Sequence, residues 1–142
     1  MKSVLAKALP DLKEFERDRA IEAAGGSAGR AMSLAALDLV SLEEKALRIL
    51  RQGDPNNKGR SDLASELGKR GAGDRYAAFL ELMPTMIARE TRGLTGARRD
   101  RALDAYVRTR ELVAVAPRLS LDPSATVFQL GGILASVANP LP

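Results

Sequence analysis

The stretch DRYAAFLELMPTMIARETR, Asp74 to Arg92, carries the clearest pattern in the chain. Tyr76, Phe79, Leu80, Met83 and Ile87 recur at spacings of three and four, which is the repeat of one helix face. Pro84 falls inside that repeat. It lacks an amide and crowds the carbonyl of Leu80, so a kink is expected there. Outward from this helix the same periodicity returns, no segment alternates convincingly with a period of two, and β-branched residues are scarce. The chain reads as an all-α protein.

Toward the C-terminus, Gly93 to Gly96 forms a link and a basic helix is expected from about Ala97 to Ala116. Its apolar stripe is Leu103, Tyr106, Val107 and Val113, with Arg98, Arg99, Arg101, Arg108 and Arg110 mostly elsewhere. Asp122-Pro123 is a helix start, an N-cap acid followed by proline at the first helical position. The helix it opens, about Pro123–Ala138, has Val127, Phe128, Leu130, Ile133, Leu134 and Val137 around it and Gln129 as its one sizeable polar side chain. A helix apolar all round must be buried, either as the centre of its own domain or under a partner subunit. Gly131-Gly132 within it costs roughly 1 kcal/mol per glycine relative to alanine, which suits a close helix approach within the chain or between subunits.

Toward the N-terminus, Arg70-Gly71-Ala72-Gly73 breaks a short helix near Ser61–Lys69 that faces Leu63 and Leu67 inward. Gln52 to Asn57 is a turn cluster. Ser41-Leu42-Glu43-Glu44 reads as a capping box, opening a helix with Leu42, Ala46, Ile49 and Leu50 on one face. Before it, short helices are expected at Val4–Leu9, Leu12–Ala24 and from Ser27 through Leu37. Between the last two lies Gly25-Gly26-Ser27-Ala28-Gly29-Arg30-Ala31. The glycines end one helix, Ser27 can accept a bond from a free amide of the next, and Arg30 stands in its first turn, where anions are favoured.

Composition narrows the function. Of 142 residues, 45% are hydrophobic, which supports a real core, but only 4% are aromatic, so that core must be built from Leu, Ala, Val, Ile and Met. The chain has no cysteine and no histidine. Disulfides, zinc-thiolate sites, thiol nucleophiles, imidazole ligands and histidine general bases are excluded. There is no paired-carboxylate metal array and no phosphate-binding loop of the G-x-x-x-x-G-K-[ST] kind. Independent catalysis, a metal site and a cofactor are therefore not expected. The net charge is +4, from 22 basic and 18 acidic residues. Residues 1–38 hold six of each sign, so the whole excess lies in 39–142. With no charged-then-apolar leader and no apolar run of about 20 residues, no membrane contact is expected and a cytoplasmic location is.

The glycine-serine-arginine corner, the sequence Asp74-Arg75-Tyr76-Ala77-Ala78-Phe79-Leu80 and the later Leu119-Ser120-Leu121-Asp122-Pro123 together resemble one family. They look like the C-terminal part of delta-prime subunits of bacterial DNA polymerase III clamp loaders, over nearly the whole chain. The resemblance implies the end of a helical AAA+ lid over residues 1–40 and a collar-type bundle of about five helices over 41–142. In that family the collars of five subunits hold the loader together while the sliding clamp is placed on primed DNA. The resemblance implies other loader subunits as partners, DNA as an indirect or weak one, and no small-molecule substrate. Arg30, with Ser27 beside it, matches a nucleotide-phosphate-sensing position, vestigial in delta-prime subunits that are poor ATPases. Nucleotide would reach it only through an ATPase core that these residues do not include. Val127, Leu130, Gly131, Ile133 and Leu134 are the expected subunit interface, and Arg98, Arg99 and Arg101 the candidate nucleic-acid contacts. Two rivals are the tail of another AAA+ replication or recombination ATPase and a free-standing helical nucleic-acid-binding module.

Overall fold

Helical periodicity from Leu39 onward is realised as five helices: α1 (Leu39–Gln52), α2 (Lys58–Leu67), α3 (Gly73–Thr91), α4 (Gly96–Arg118) and α5 (Pro123–Ala138). The structure is a computed structural model that describes residues 38–138, and there is no strand among the described residues. The helices expected at Val4–Leu9, Leu12–Ala24 and Ser27–Leu37, and the corner with Ser27 and Arg30, lie outside the described residues. The chain divides between Leu42 and Glu43, inside α1. The second unit, from Glu43, contains the remainder of α1 and the four later helices.

Within that unit α5 packs against both α2 and α4, and α4 packs in turn against α3. Hydrophobicity selects this order. α5 is the most apolar helix, so the lowest free energy covers it on several sides. Phe79, Leu82, Met83, Met86 and Ile87 of α3, Leu63 and Leu67 of α2, and Val127, Leu130 and Leu134 of α5 are all essentially inaccessible to solvent. Each such large side chain contributes about 1.5–3 kcal/mol through removal of its apolar surface from water. α3 continues through Pro84 without interruption.

Three local expectations are corrected. α1 begins at Leu39, after Asp38 at φ 55°, so Ser41 and Glu44 lie inside the helix and no capping box opens it. Leu39 is almost completely buried, so extending the helix back to it gains apolar burial that the box would forgo. α2 starts at Lys58 rather than near Ser61, because Asp54 reaches forward to its first turn. The Asp54 carboxylate accepts the amides of Gly59 (2.9 Å) and Arg60 (3.0 Å), two donors that a helix start leaves unpaired. The adjacent Asn57 sits in left-handed backbone at φ 58° and makes no side-chain cap bond.

The third correction concerns α4. Its inward seam is Ala102, Ala105, Thr109, Leu112 and Ala116, spaced three and four apart, and not the stripe Leu103, Tyr106, Val107 and Val113. Four of those five inward side chains are small. They let α4 approach both α3 and α5 closely, and dispersion across close backbones replaces what large side chains would supply.

Candidate interaction surfaces

α5 leaves little for a second subunit. Val127, Leu130 and Leu134 are 0% exposed and Ile133 is 4% exposed within this one chain. The expected subunit interface at Val127, Leu130, Gly131, Ile133 and Leu134 is therefore corrected to a core. The physical reason is that the chain itself supplies enough helices to cover α5. Gly131 is the point where α2 comes nearest: a Cβ built on it would lie 2.4 Å from the Cβ of Arg60. At the other end of α2, a Cβ on Gly68 would lie 2.9 Å from that of Ser124. Residue 60 thus meets 131 and residue 68 meets 124, so α2 runs antiparallel along α5, with glycine at both closest approaches. Phe128 and Gln129 keep the solvent-facing side of α5.

Arg60 is held from three sides. Its Nε donates to Asp54 Oδ2 at 2.9 Å, its guanidinium carbon lies 5.6 Å from the centre of the Phe128 ring, and its stem crosses Gly131. Burial alone would raise the Asp54 carboxyl. The Arg60 amide and guanidinium, with the Gly59 amide, outweigh that and hold it below its ordinary value. This cluster is structural: both Asp54 carboxylate oxygens accept bonds, and the Arg60 guanidinium donates back to Asp54 through Nε and Nη2.

Two of the three arginines expected on nucleic acid are also occupied. Arg101 Nε donates to the carbonyl of Val137 at 2.9 Å, in the last turn of α5, and Arg98 donates through Nη2 to the carbonyl of Arg51, in the last turn of α1. Helix C-termini present unpaired carbonyls and the negative end of the helix dipole, so a cation there is stabilising. Arg98 and Arg101, expected as nucleic-acid contacts, thus cap the C-terminal ends of α1 and α5 with one bond each. Arg99 alone of the three is exposed, Arg98 and Arg101 being half-buried.

Side-chain ion pairs tie α1 to α2 and α3. Arg51 makes two bonds to Glu90 of α3, at 2.9 and 2.5 Å. Arg89 of α3 donates to the buried Glu43 at 2.6 Å. Glu66 of α2 is shared by Lys45 of α1 and Arg75 of α3, at 3.2 and 3.1 Å. The Arg51 bonds, against a smaller opposing effect of burial, hold the Glu90 carboxyl below its ordinary value. At Glu66 burial acts upward, and the bonds from Arg75 and Lys45 outweigh it.

Besides Leu119 (61% exposed) and Leu121 (36%) between α4 and α5, and Phe128 on α5, two exposed features remain. The first is apolar: Leu103 (41% exposed) and Val107 (53%) stand one turn apart on the outward face of α4, beside the half-buried Tyr106. Sequence periodicity identifies these residues as a stripe but assigns it to the wrong side of the helix. The second is basic: Lys45, Arg48 and Arg51 on α1, which no sequence motif marks. Among the described residues no group of three acidic side chains could hold a metal ion, and no helix is long and apolar enough to cross a membrane. Comparison of the chain with known protein families, with characterised proteins and with solved structures finds no match in any of the three.

Proposed function

We propose that this chain is a non-catalytic subunit-association domain of the clamp-loader delta-prime type, whose collar contact is made through the outward face of α4. The observation that carries this reading is the Leu103–Val107 pair, left exposed on a helix whose opposite side is already committed to the core. Exposed apolar residues grouped on one face, beside an ion pair such as Asp104–Arg108 (3.8 Å), have the composition of a contact surface with a polar rim. The resemblance of the corner and tail sequences to delta-prime subunits supplies the identity of the partners, the other loader subunits. Catalysis then belongs to the parent DNA polymerase III holoenzyme, DNA is met through the assembly, and the location is cytoplasmic.

The test is a pull-down of the chain against purified clamp-loader subunits, with salt titrated. Salt-resistant capture of a loader subunit, lost in Leu103→Asp and Val107→Asp while the helical circular-dichroism signal and melting temperature stay unchanged, is the expected result. Failure of the wild-type chain to retain any loader subunit would refute the reading.

A further inference from the structure

Every exposed residue of α1 is a cation or an amide: Lys45, Arg48, Arg51 and Gln52. Of the two acids of the helix, Glu43 is buried, and Glu44 is half-buried one turn before Arg48 on the same side. Lys45, Arg48 and Arg51 are three residues apart, so they rise about 9 Å in all and form a ridge winding slowly around one side of the helix. Its two ends are held in place. Lys45 is bonded to Glu66 of α2, and Arg51 is bonded twice to Glu90 of α3, with Arg98 closing on the Arg51 carbonyl behind it. Arg48, between them, has no ion-pair partner among the described residues.

We infer that this ridge is a contact surface for the phosphodiester backbone of nucleic acid, with Arg48 as its principal phosphate ligand. Glu66 and Glu90 fix the flanking cations in space, and Glu66 is already shared with Arg75. Arg48 is then the cation of the ridge whose charge no carboxylate among the described residues pairs, exposed between two others held in place. Duplex DNA carries a charge about every 1.7 Å along its axis, so a ridge about 9 Å long faces several phosphates at once. The ridge also contains no exposed apolar side chain. A protein interface needs an apolar centre within its polar rim, whereas a phosphate backbone needs only cations and donors. Contact of this kind positions the chain on nucleic acid without reading sequence. The inference is independent of the subunit-association reading, which rests on α4.

The experiment is fluorescence anisotropy of a labelled short DNA duplex with the 142-residue chain, over roughly 50 to 200 mM salt. The wild type is expected to bind with an affinity that falls as salt rises. Arg48→Gln should weaken binding several-fold at low salt and reduce the slope of log affinity against log salt by about 0.9, the loss of one phosphate contact. Arg48→Lys should restore the slope, because a point charge is sufficient for counterion release. Lys69→Gln, which removes an exposed charge from the α2–α3 link, should leave slope and affinity unchanged. Arg48 is exposed, so an unchanged circular-dichroism melt confirms that Arg48→Gln is folded. Equal losses in Arg48→Gln and Lys69→Gln would reduce the effect to net charge and overturn the inference. So would no loss in Arg48→Gln, or no binding by the wild type. Arg48-dependent binding of polyglutamate without binding of the duplex would assign an acidic protein to the ridge instead.

Discussion

Alanine at position 131 is a direct test of the antiparallel α2–α5 contact. Its Cβ would fall 2.4 Å from the Cβ of Arg60 and 3.3 Å from the Arg60 Cα. Neither atom can rotate away, so the helices must separate. Separation is resisted at the other end by Gly68 against Ser124, and at the start of α2 by the Asp54 bonds to Gly59 and Arg60. Overpacking of this kind costs about 1–3 kcal/mol, and the contact, being between fixed atoms, belongs in the upper part of that range. Replacing glycine within a helix returns about 1 kcal/mol. The net loss is therefore about 1–2 kcal/mol, or roughly 4–16 °C in melting temperature for a domain of this size.

Gly132→Ala provides the contrast. Its Cβ would meet only Arg60 Nη1, at 3.2 Å, and a guanidinium end can swing aside. The propensity gain then roughly balances the disturbance, and the variant should melt near the wild type or above it. A double-substitution series by urea denaturation completes the test. Arg60→Gly removes the clashing Cβ, so adding Gly131→Ala to it should cost nothing further. Arg60→Ala keeps the Cβ and should give no relief. If Gly131→Ala melts at or above the wild type, or if Arg60→Ala relieves it as well as Arg60→Gly does, the close approach is refuted.

Four further outcomes follow from the packing and the ion pairs. Asp54→Ala should cost about 1–3 kcal/mol by urea titration, because it removes the acceptor for two amides at the start of α2 and leaves Arg60 without its carboxylate. Thr109→Val should raise the melting temperature, since the fully buried Thr109 hydroxyl has no hydrogen-bond partner and valine keeps its shape. Leu130→Asp should abolish the cooperative melt, whereas Arg99→Ala should leave it in place, the first side chain being fully buried and the second exposed. Asp54, Glu66 and Glu90 all have carboxyl pKa values lowered in the folded state. Their stabilisation is therefore complete above the unfolded values near pH 4 and is lost as pH falls through the lower folded values. Urea midpoints should be flat from pH 7 to about 5 and fall below about 4, and Glu90→Gln should flatten part of that fall.

Local rules make the five helices of the fold legible from neighbouring residues. Asp122-Pro123 opens α5, and the three-and-four spacing over Asp74 to Arg92 matches α3 to within a residue at each end. These signals are legible because a cap or a helical repeat is a property of residues close together in the chain. Burial of α5 is legible too, since nothing on its surface could be left to water. What covers it is not: burial within the chain and burial under a subunit leave the same apolar pattern, and only the meeting of Gly131 with Arg60 and of Gly68 with Ser124 separates them.

The candidate sites depend still more on tertiary structure. Arginine reads as a free cation until its partner is known, and the partners of Arg98 and Arg101 are carbonyls 47 and 36 residues away. On α4, side-chain size is a misleading guide. Leu103 and Val107 are the more hydrophobic residues, yet the alanines at 102, 105 and 116 face inward because close helix approach rewards small volume. Composition and short-range spacing suffice to make this an all-helical chain with a leucine-rich core and no histidine or cysteine chemistry. Which face of α4 is outward, which arginines are caps and which carboxylates hold Lys45 and Arg51 follow from the packed helices alone, because each depends on atoms that lie far apart along the chain.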